Sequence, residues 1–323
     1  MTPFLTRRAA LATLAAALVA GPAWSQSYPD KPITLVVPYP AGASVDRIGR
    51  ALAAELGKRL SQSVVVDNVG GASGTLGAKK VQRAAPDGYT LLLGSVNDLL
   101  VGPAALKAGY TLRDFTPIAK LSTNSTVLVA HPSLPANNVD ELAAWAKRAK
   151  EPLLLGATGA AMMQTLGGTL VADTAGFAVS PVIYKGGAPL LNDLIGGQVS
   201  VGTIALTGAL PMIRAGKLKA LGVISEQRDP TAPEIPTVNE GKTVRGVQAD
   251  LWTGLFAPVN LPVPVVARLA AAVRDILADA KYREAEFKAG SIASEPSSPQ
   301  DFQQYLVKEE MRLKPRLATI KVE

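Results

Sequence analysis

The sequence predicts an α/β protein made of two units, each an open sheet with helices on its faces. Three observations predict it. Short β-branched runs alternate with stretches whose apolar residues recur at helical spacing. Loops rich in glycine and alanine follow the strand-like runs and precede the helix-like ones. The chain has 323 residues, room for two domains at roughly 150 residues each.

In chain order, Ile33–Tyr39 is apolar and β-branched between Pro32 and Pro40, as a buried parallel strand would be. Ile48, Leu52, Leu56 and Leu60 then mark one face of a helix. Val64–Asp67 predicts a second strand, Leu76–Ala85 a helix and Tyr89–Gly94 a third strand, giving a βαβαβ unit. A second unit opens near Thr126. Its expected strands are Val127–Ala130, Pro152–Leu155, Val182–Tyr184, Val199–Ala205 and Leu218–Ile224. Its expected helices are Val139–Lys150, Met163–Ala172, Ala188–Ile195 and Ala209–Ala215. Ser225–Arg245 is proline-rich and polar, hence irregular. Leu251–Ala257 predicts a strand returning to the first unit, followed by helices over Val263–Ala280, Tyr282–Ala289 and Pro299–Ile320.

Composition excludes several classes. Met1–Ser25 has Arg7 and Arg8, the apolar run Ala9–Ala20 and a small-residue end, which reads as a cleaved export signal. That run is far short of the roughly 20 residues a membrane span needs. The 33 Lys and Arg outnumber 26 Asp and Glu. With no basic block, nucleic acid is not an expected partner. There is no cysteine, so disulfides, a thiol nucleophile and a lipoprotein anchor are excluded, and His131 is the single histidine. No G-x-S-x-G, G-x-G-x-x-G or Walker pattern occurs, so NAD and ATP are not expected, nor is any cofactor or metal. His131, before Pro132, is expected to be a residue crossing between domains with a satisfied ring.

Three loops stand between a strand and a helix: Ala41–Ser44, Asn68–Gly74 and Gly156–Ala161. Ligands of open α/β sheets bind beyond the carboxyl ends of the strands. Helix N-termini there offer unpaired N–H groups and partial positive charge, so small residues would let an anion approach the backbone. The competing reading is three tight turns. Asp46 is expected to cap or order the first loop, with ligand contact as its alternative role.

Six ordered motifs carry a resemblance. Pro38–Asp46 resembles the P-F-x-P-G-G-x-x-D loop of the Bug (tripartite tricarboxylate transporter) family of periplasmic solute-binding proteins. Asn68–Gly77 is similar to its N-R-P-G-A-G-G-x-x-G, and Ala84–Leu92 to its A-x-P-D-G-Y-T-L-L. Tyr184–Pro189, Gly196–Val199 and Ala215–Leu221 complete the series. The resemblance implies a type II periplasmic-binding-protein fold: two α/β domains with a ligand cleft between them. It assigns residues 26–124 with 251–323 to one domain and 125–250 to the other, after a leader of residues 1–25.

The same resemblance implies a non-enzymatic, monomeric, periplasmic protein. It would capture a small carboxylate and pass it to membrane transporter subunits. Signalling to a membrane sensor is the alternative; a secreted hydrolase is disfavoured by the residue counts. Tyr39, Ala41, Gly42, Ala43, Ser44 and Asp46 are nominated as ligand-binding, with Asn68, Gly71, Ala72 and Ser95. The second domain would add Thr158, Gly159, Ala160, Ala161, Met162, Tyr184, Lys185, Gly186 and Thr203.

Departures from the family pattern bear on ligand choice. Gly42-Ala43 stands for two glycines, and Val69-Gly70 for R-P. Ala161-Met162-Met163-Gln164 replaces T-S-S-H, and Thr203-Ile204-Ala205 replaces an F-D-N-like stretch. Met162, Met163 and Ile204 would give the pocket an alkyl wall, favouring an acid with an apolar or aromatic body over citrate or aspartate.

Overall fold

The computed structural model describes residues 28–317. The expected leader lies outside the described residues. Two sheets form, one in each lobe of the molecule. From edge to edge the six-stranded sheet runs β11 (Ile292–Ala293), β4 (Phe115–Asn124), β10 (Leu251–Pro258), β3 (Thr90–Ser95), β1 (Ile33–Val37) and β2 (Val64–Asn68), and the five-stranded sheet β7 (Val179–Ile183), β6 (Leu153–Ala157), β8 (Val201–Ala205), β5 (Thr126–Ala130) and β9 (Lys219–Val223).

In the first sheet, β1 (Ile33–Val37), β2 (Val64–Asn68) and β3 (Thr90–Ser95) run parallel. Helices α1 (Ser44–Leu60) and α2 (Thr75–Gln82) connect them. A π-helical turn at Asn97–Val101 and the short α3 (Gly102–Leu106) follow β3. The ten-residue β4 (Phe115–Asn124) was not foreseen from the sequence. Pro117 and Lys120 interrupt its apolar pattern, and its register with β10 (Leu251–Pro258) shifts twice. Both run antiparallel to their neighbours, so the sheet is mixed rather than parallel.

The second sheet holds β5 (Thr126–Ala130), β6 (Leu153–Ala157), β7 (Val179–Ile183), β8 (Val201–Ala205) and β9 (Lys219–Val223). It is also mixed, because β5 is antiparallel to both β8 and β9. Its helices are α4 (Val139–Ala146), α5 (Met163–Ala175), α6 (Gly187–Ile195) and α7 (Leu206–Arg214). The chain closes with α8 (Val263–Ala278), α9 (Ala280–Lys288), the two-residue β11 (Ile292–Ala293) and α10 (Pro299–Leu317).

The chain crosses from the first sheet to the second through Ser125 and returns just before β10. These crossings lie side by side. Thr126 Oγ1 donates to the Ala249 carbonyl at 2.7 Å, and the Ile224 N–H donates to the Thr126 carbonyl at 2.7 Å. His131 is therefore not a crossing residue. It follows the far end of β5, with its Nδ1 2.7 Å from Ser133 Oγ. The expected irregularity of 225–245 holds apart from a 3-10 turn at Val238–Glu240. No helix among the described residues is long and apolar enough to cross a membrane.

Buried Trp252 and Phe256 on β10 pack against Phe302 of α10. Gly254 makes room for that ring: a Cβ there would lie 2.4 Å from Phe302 Cζ. The loops at the carboxyl ends of β1, β2 and β6 carry most of the nominated residues.

Candidate functional site

In the first loop, Ala43 is the N-cap of α1 and has no side-chain acceptor to offer. Asp46, one turn in and 4% exposed, instead ties down the residues that precede the helix. Its Oδ2 accepts from the Gly42 N–H at 2.9 Å and from Arg50 Nε at 3.0 Å. Its Oδ1 accepts from Asn68 Nδ2 at 2.9 Å, and the same amide nitrogen donates to the Tyr39 carbonyl at 3.0 Å. Burial pushes the Asp46 carboxyl up, but the Gly42, Arg50 and Asn68 donors outweigh it and hold it below its ordinary value. Asp46 therefore orders the loop, and Asn68 ties that loop to the next one. Ala41 and Gly42 stay exposed, while Ala43 and Ser44 are half-buried.

The second loop holds four consecutive residues at positive φ: Gly71 (124°), Ala72 (47°), Ser73 (55°) and Gly74 (88°). Ala72 and Ser73 pay a steric penalty there that glycine avoids. Gly74 is required for a second reason. A Cβ on it would lie 2.8 Å from Asp98 Cβ and 3.0 Å from the Tyr39 hydroxyl.

Asp98 was missed in the sequence, as was its neighbour Asn97. The signal available was Ser95-Val96-Asn97-Asp98 immediately after a parallel strand, a position equivalent to the other loops. Asp98 is fully buried. It accepts from the Ser95 N–H at 3.0 Å and from the Tyr39 hydroxyl at 3.0 Å, and it also bonds the Ser95 hydroxyl. Burial nevertheless pushes its carboxyl up to about 7. Burial, together with the adjacent Asp98, raises the Tyr39 hydroxyl well above its ordinary value. Tyr39 and Ser95 thus face inward and act as struts beneath the loops.

Asn97 points the other way, across to the second lobe. Its Oδ1 accepts from the Met163 N–H at 2.7 Å, and its Nδ2 donates to Gln164 Oε1 at 3.2 Å. Met163 is the first residue of α5, whose own N-cap, Met162, offers no side-chain bond. One helix N-terminus is therefore partly capped from the opposite lobe. Within the second lobe, Thr165 Oγ1 donates to the Gly159 carbonyl at 2.5 Å. Met162 folds over Gly159, with its sulfur 3.6 Å from Thr158 Oγ1. The contacts run unbroken from Asp46 through Asn68, Tyr39, Asp98 and Asn97 to the start of α5. The arrangement offers backbone donors at small residues, and its hydroxyl–carboxyl contacts, Ser95 and Tyr39 on Asp98, are buried beneath the loops.

Comparison with known proteins fits this arrangement. A profile of the tripartite tricarboxylate transporter family receptor, TctC, matches residues 48–321. Protein BugT of Bordetella pertussis is 32% identical over 267 residues, 82% of this chain and 82% of that protein. The chain belongs to this receptor family. MatC from Rhodopseudomonas palustris, solved with bound malate, superposes with a TM-score of 0.82 at 32% identity, over 90% of this chain and all (100%) of that one. R. palustris Rpa4515 with adipate gives 0.83 at 29% identity, over 91% and 98%. The fold is that of periplasmic binding proteins. The family is one of solute receptors, not of enzymes.

The receptor's remaining nominated residues are placed less uniformly. Lys185 is exposed beside Gly186, which has φ 113° and open space where a Cβ would stand. Tyr184 donates its hydroxyl to Asp193 Oδ2 at 2.8 Å, which directs it toward α6. Thr203 is fully buried beneath α5, where a Cβ on Gly168 would lie 2.8 Å from its Cγ2, so its side chain faces core. The expected alkyl wall is also thinner than the sequence suggested. Met163 is 0% exposed and Ile204 is packed into the second lobe's core, while the Gln164 amide is engaged by Asn97. Met162 alone keeps a half-buried place at the loop.

Proposed function

We propose that this receptor captures a small carboxylate between its lobes and delivers it to the membrane subunits of a tripartite tricarboxylate-type transporter. The observation that carries the reading is the Asn97 bridge. It ties the turn after β3 to the N-terminus of α5, where the remaining unpaired N–H groups and the helix dipole favour an anion. Residues 26–124 with 251–323 would act as one body and 125–250 as the other, hinged at the paired crossings. Ligand touching both bodies would favour the closed form. The candidate contacts are the backbone of Ala41–Ser44, Gly71–Ala72 and Thr158–Met162. The malate and adipate held by the solved relatives support the carboxylate class.

Preference for an acid with an apolar or aromatic body over citrate or aspartate is the finer part of this reading. It now rests on Met162, with Ala160 beside it, since Ala161, Met163 and Ile204 are buried. A citrate hydroxyl left unpaired against that wall would cost about 1–3 kcal/mol. Export as a free monomer, with cleavage near Gln26, completes the proposal.

Calorimetric titration of the mature protein with malate, adipate, citrate, aspartate and benzoate tests it. Saturable binding of at least one acid, with uptake lost on deletion, is expected. A folded protein that binds none of them overturns the carboxylate reading. Citrate or aspartate outcompeting benzoate and adipate overturns only the apolar preference.

A further inference from the structure

A second cavity lies away from the loops described above, on the first lobe. It measures about 400 Å³ and is bounded by β4, β11, α9 and α10. Its apolar walls come from Ile292, Ala293 and the rings of Phe302 and Tyr305. That size is in the range of small-molecule sites.

Its charged side chains are not equivalent. Arg283 and Glu295 form an ion pair with each other. Asp301 accepts from the Ser298 N–H at 3.0 Å and its hydroxyl at 2.7 Å, at the start of α10. The ammonium of Lys120 on β4 has no hydrogen bond and no ion pair among the described residues. Its ammonium rests 3.9 Å over the Tyr305 ring. Glu309 and Asp250 act on it only at longer range, and Glu309 is committed to Arg312 at 2.9 and 2.8 Å. The hydroxyl of Ser294, another lining residue, is enclosed without a protein partner.

A largely buried ammonium whose nearest partner is an aromatic face, with carboxylates only at longer range, is under-compensated. An anion beside it would restore the balance, and the apolar walls would take the rest of such a ligand. We propose that this cavity is a second ligand site, taking a small organic carboxylate with an aromatic or apolar body, its carboxylate on Lys120. The site is independent of the one between the lobes. Its location on β4 sets it against the strand that leads, through Ser125, to β5 of the second sheet.

The probe is 4-bromobenzoate. Crystals of the unmodified mature protein grown with it should show the bromine anomalous peak in this cavity. In solution, Lys120→Met should weaken one binding event at least tenfold, with Lys120→Arg restoring it in part. The event should persist in Asn97→Ala, which perturbs the inter-lobe site instead. Bromine found only between the lobes overturns the proposal and leaves the transport reading standing, and bromine in neither place also overturns it. Equal affinities for wild type and Lys120→Met in solution overturn it as well, even with density in the crystal. The anomalous map needs no variant, so a Lys120→Met that fails to fold does not shield the proposal.

Discussion

In the first lobe, two buried carboxylates hold the loops in place. Asp46 gathers Gly42, Asn68 and Arg50, and Asp98 gathers Ser95 and Tyr39. In the second lobe, the loop from Thr158 to Met162 has no titratable residue. It is held by Thr165 on the Gly159 carbonyl and by Asn97, borrowed from the first lobe. The first lobe's loops are thus held from within, while the second lobe's loop depends on a contact from across the cleft. Preorganisation on one side lowers the ordering cost of binding, and a shared contact makes closure part of recognition.

The largest expected contrast is in pH response. Burial raises the Asp98 carboxyl from 3.8 to about 7. The folded protein therefore keeps a proton that the unfolded chain releases between about pH 4 and pH 7. Stability from this group is fully present below about pH 4 and is lost as pH rises to about 7. At about 1.36 kcal/mol per pKa unit, the window spans on the order of 4 kcal/mol. Urea unfolding of wild type and Asp98→Asn at both ends of that window measures it. Wild type should lose stability relative to the variant as pH rises. Parallel behaviour would mean that Asp98 is ionised in the fold, and that the first lobe's loops rest on a buried charge.

Asp98 also marks where sequence reading stopped. Strands β1, β2, β3 and most of the second sheet were legible because they are short apolar runs, β-branched in β1 and β2 and leucine-rich in β3 and β6, set between turn residues. The loops were legible because small residues between a strand and a helix have few other uses. Strand β4 was not, since Pro117 and Lys120 break the alternation that identifies a half-buried strand. Asn97 and Asp98 were not, because the π-helical turn that aims one inward and the other outward has no spacing signature. Met163 was misjudged for a related reason. Adjacent helix residues point about 100° apart, so Met162 can face the loop while its neighbour enters the core, and residue type alone does not say which.

The second contrast is the bridge itself. Asn97→Ala removes two inter-lobe hydrogen bonds, about 1 kcal/mol each. Affinity for the preferred carboxylate should fall by about 2 kcal/mol, roughly thirtyfold. Thermal unfolding of the ligand-free protein should move far less, because each lobe keeps its own core. Calorimetry and melting on the same preparation separate the two effects. Equal losses in both would make Asn97 a structural residue and not a part of closure.

The smallest expected effect comes from Asp46, and it asks whether the first lobe's loop is only ordered or also touches ligand. Asp46→Ala leaves the Gly42 N–H without its acceptor, the Asn68 amide with only the Tyr39 carbonyl, and Arg50 with only Asn68. Replacing a residue that satisfies a helix start costs about 0.5–2 kcal/mol, near 1 in the middle of that range. If Asp46 acts by ordering the loop alone, stability and affinity should fall together by about that amount. Asp46→Asn keeps an acceptor oxygen while losing the charge that Arg50 pairs with, and should fall between wild type and Asp46→Ala in both measurements. Affinity dropping tenfold or more beyond what the melting shift accounts for would place the carboxylate in contact with the ligand. It would then be reading a hydroxyl or an amine, since a carboxylate facing the anion itself would repel it, and the ligand would have to carry such a group.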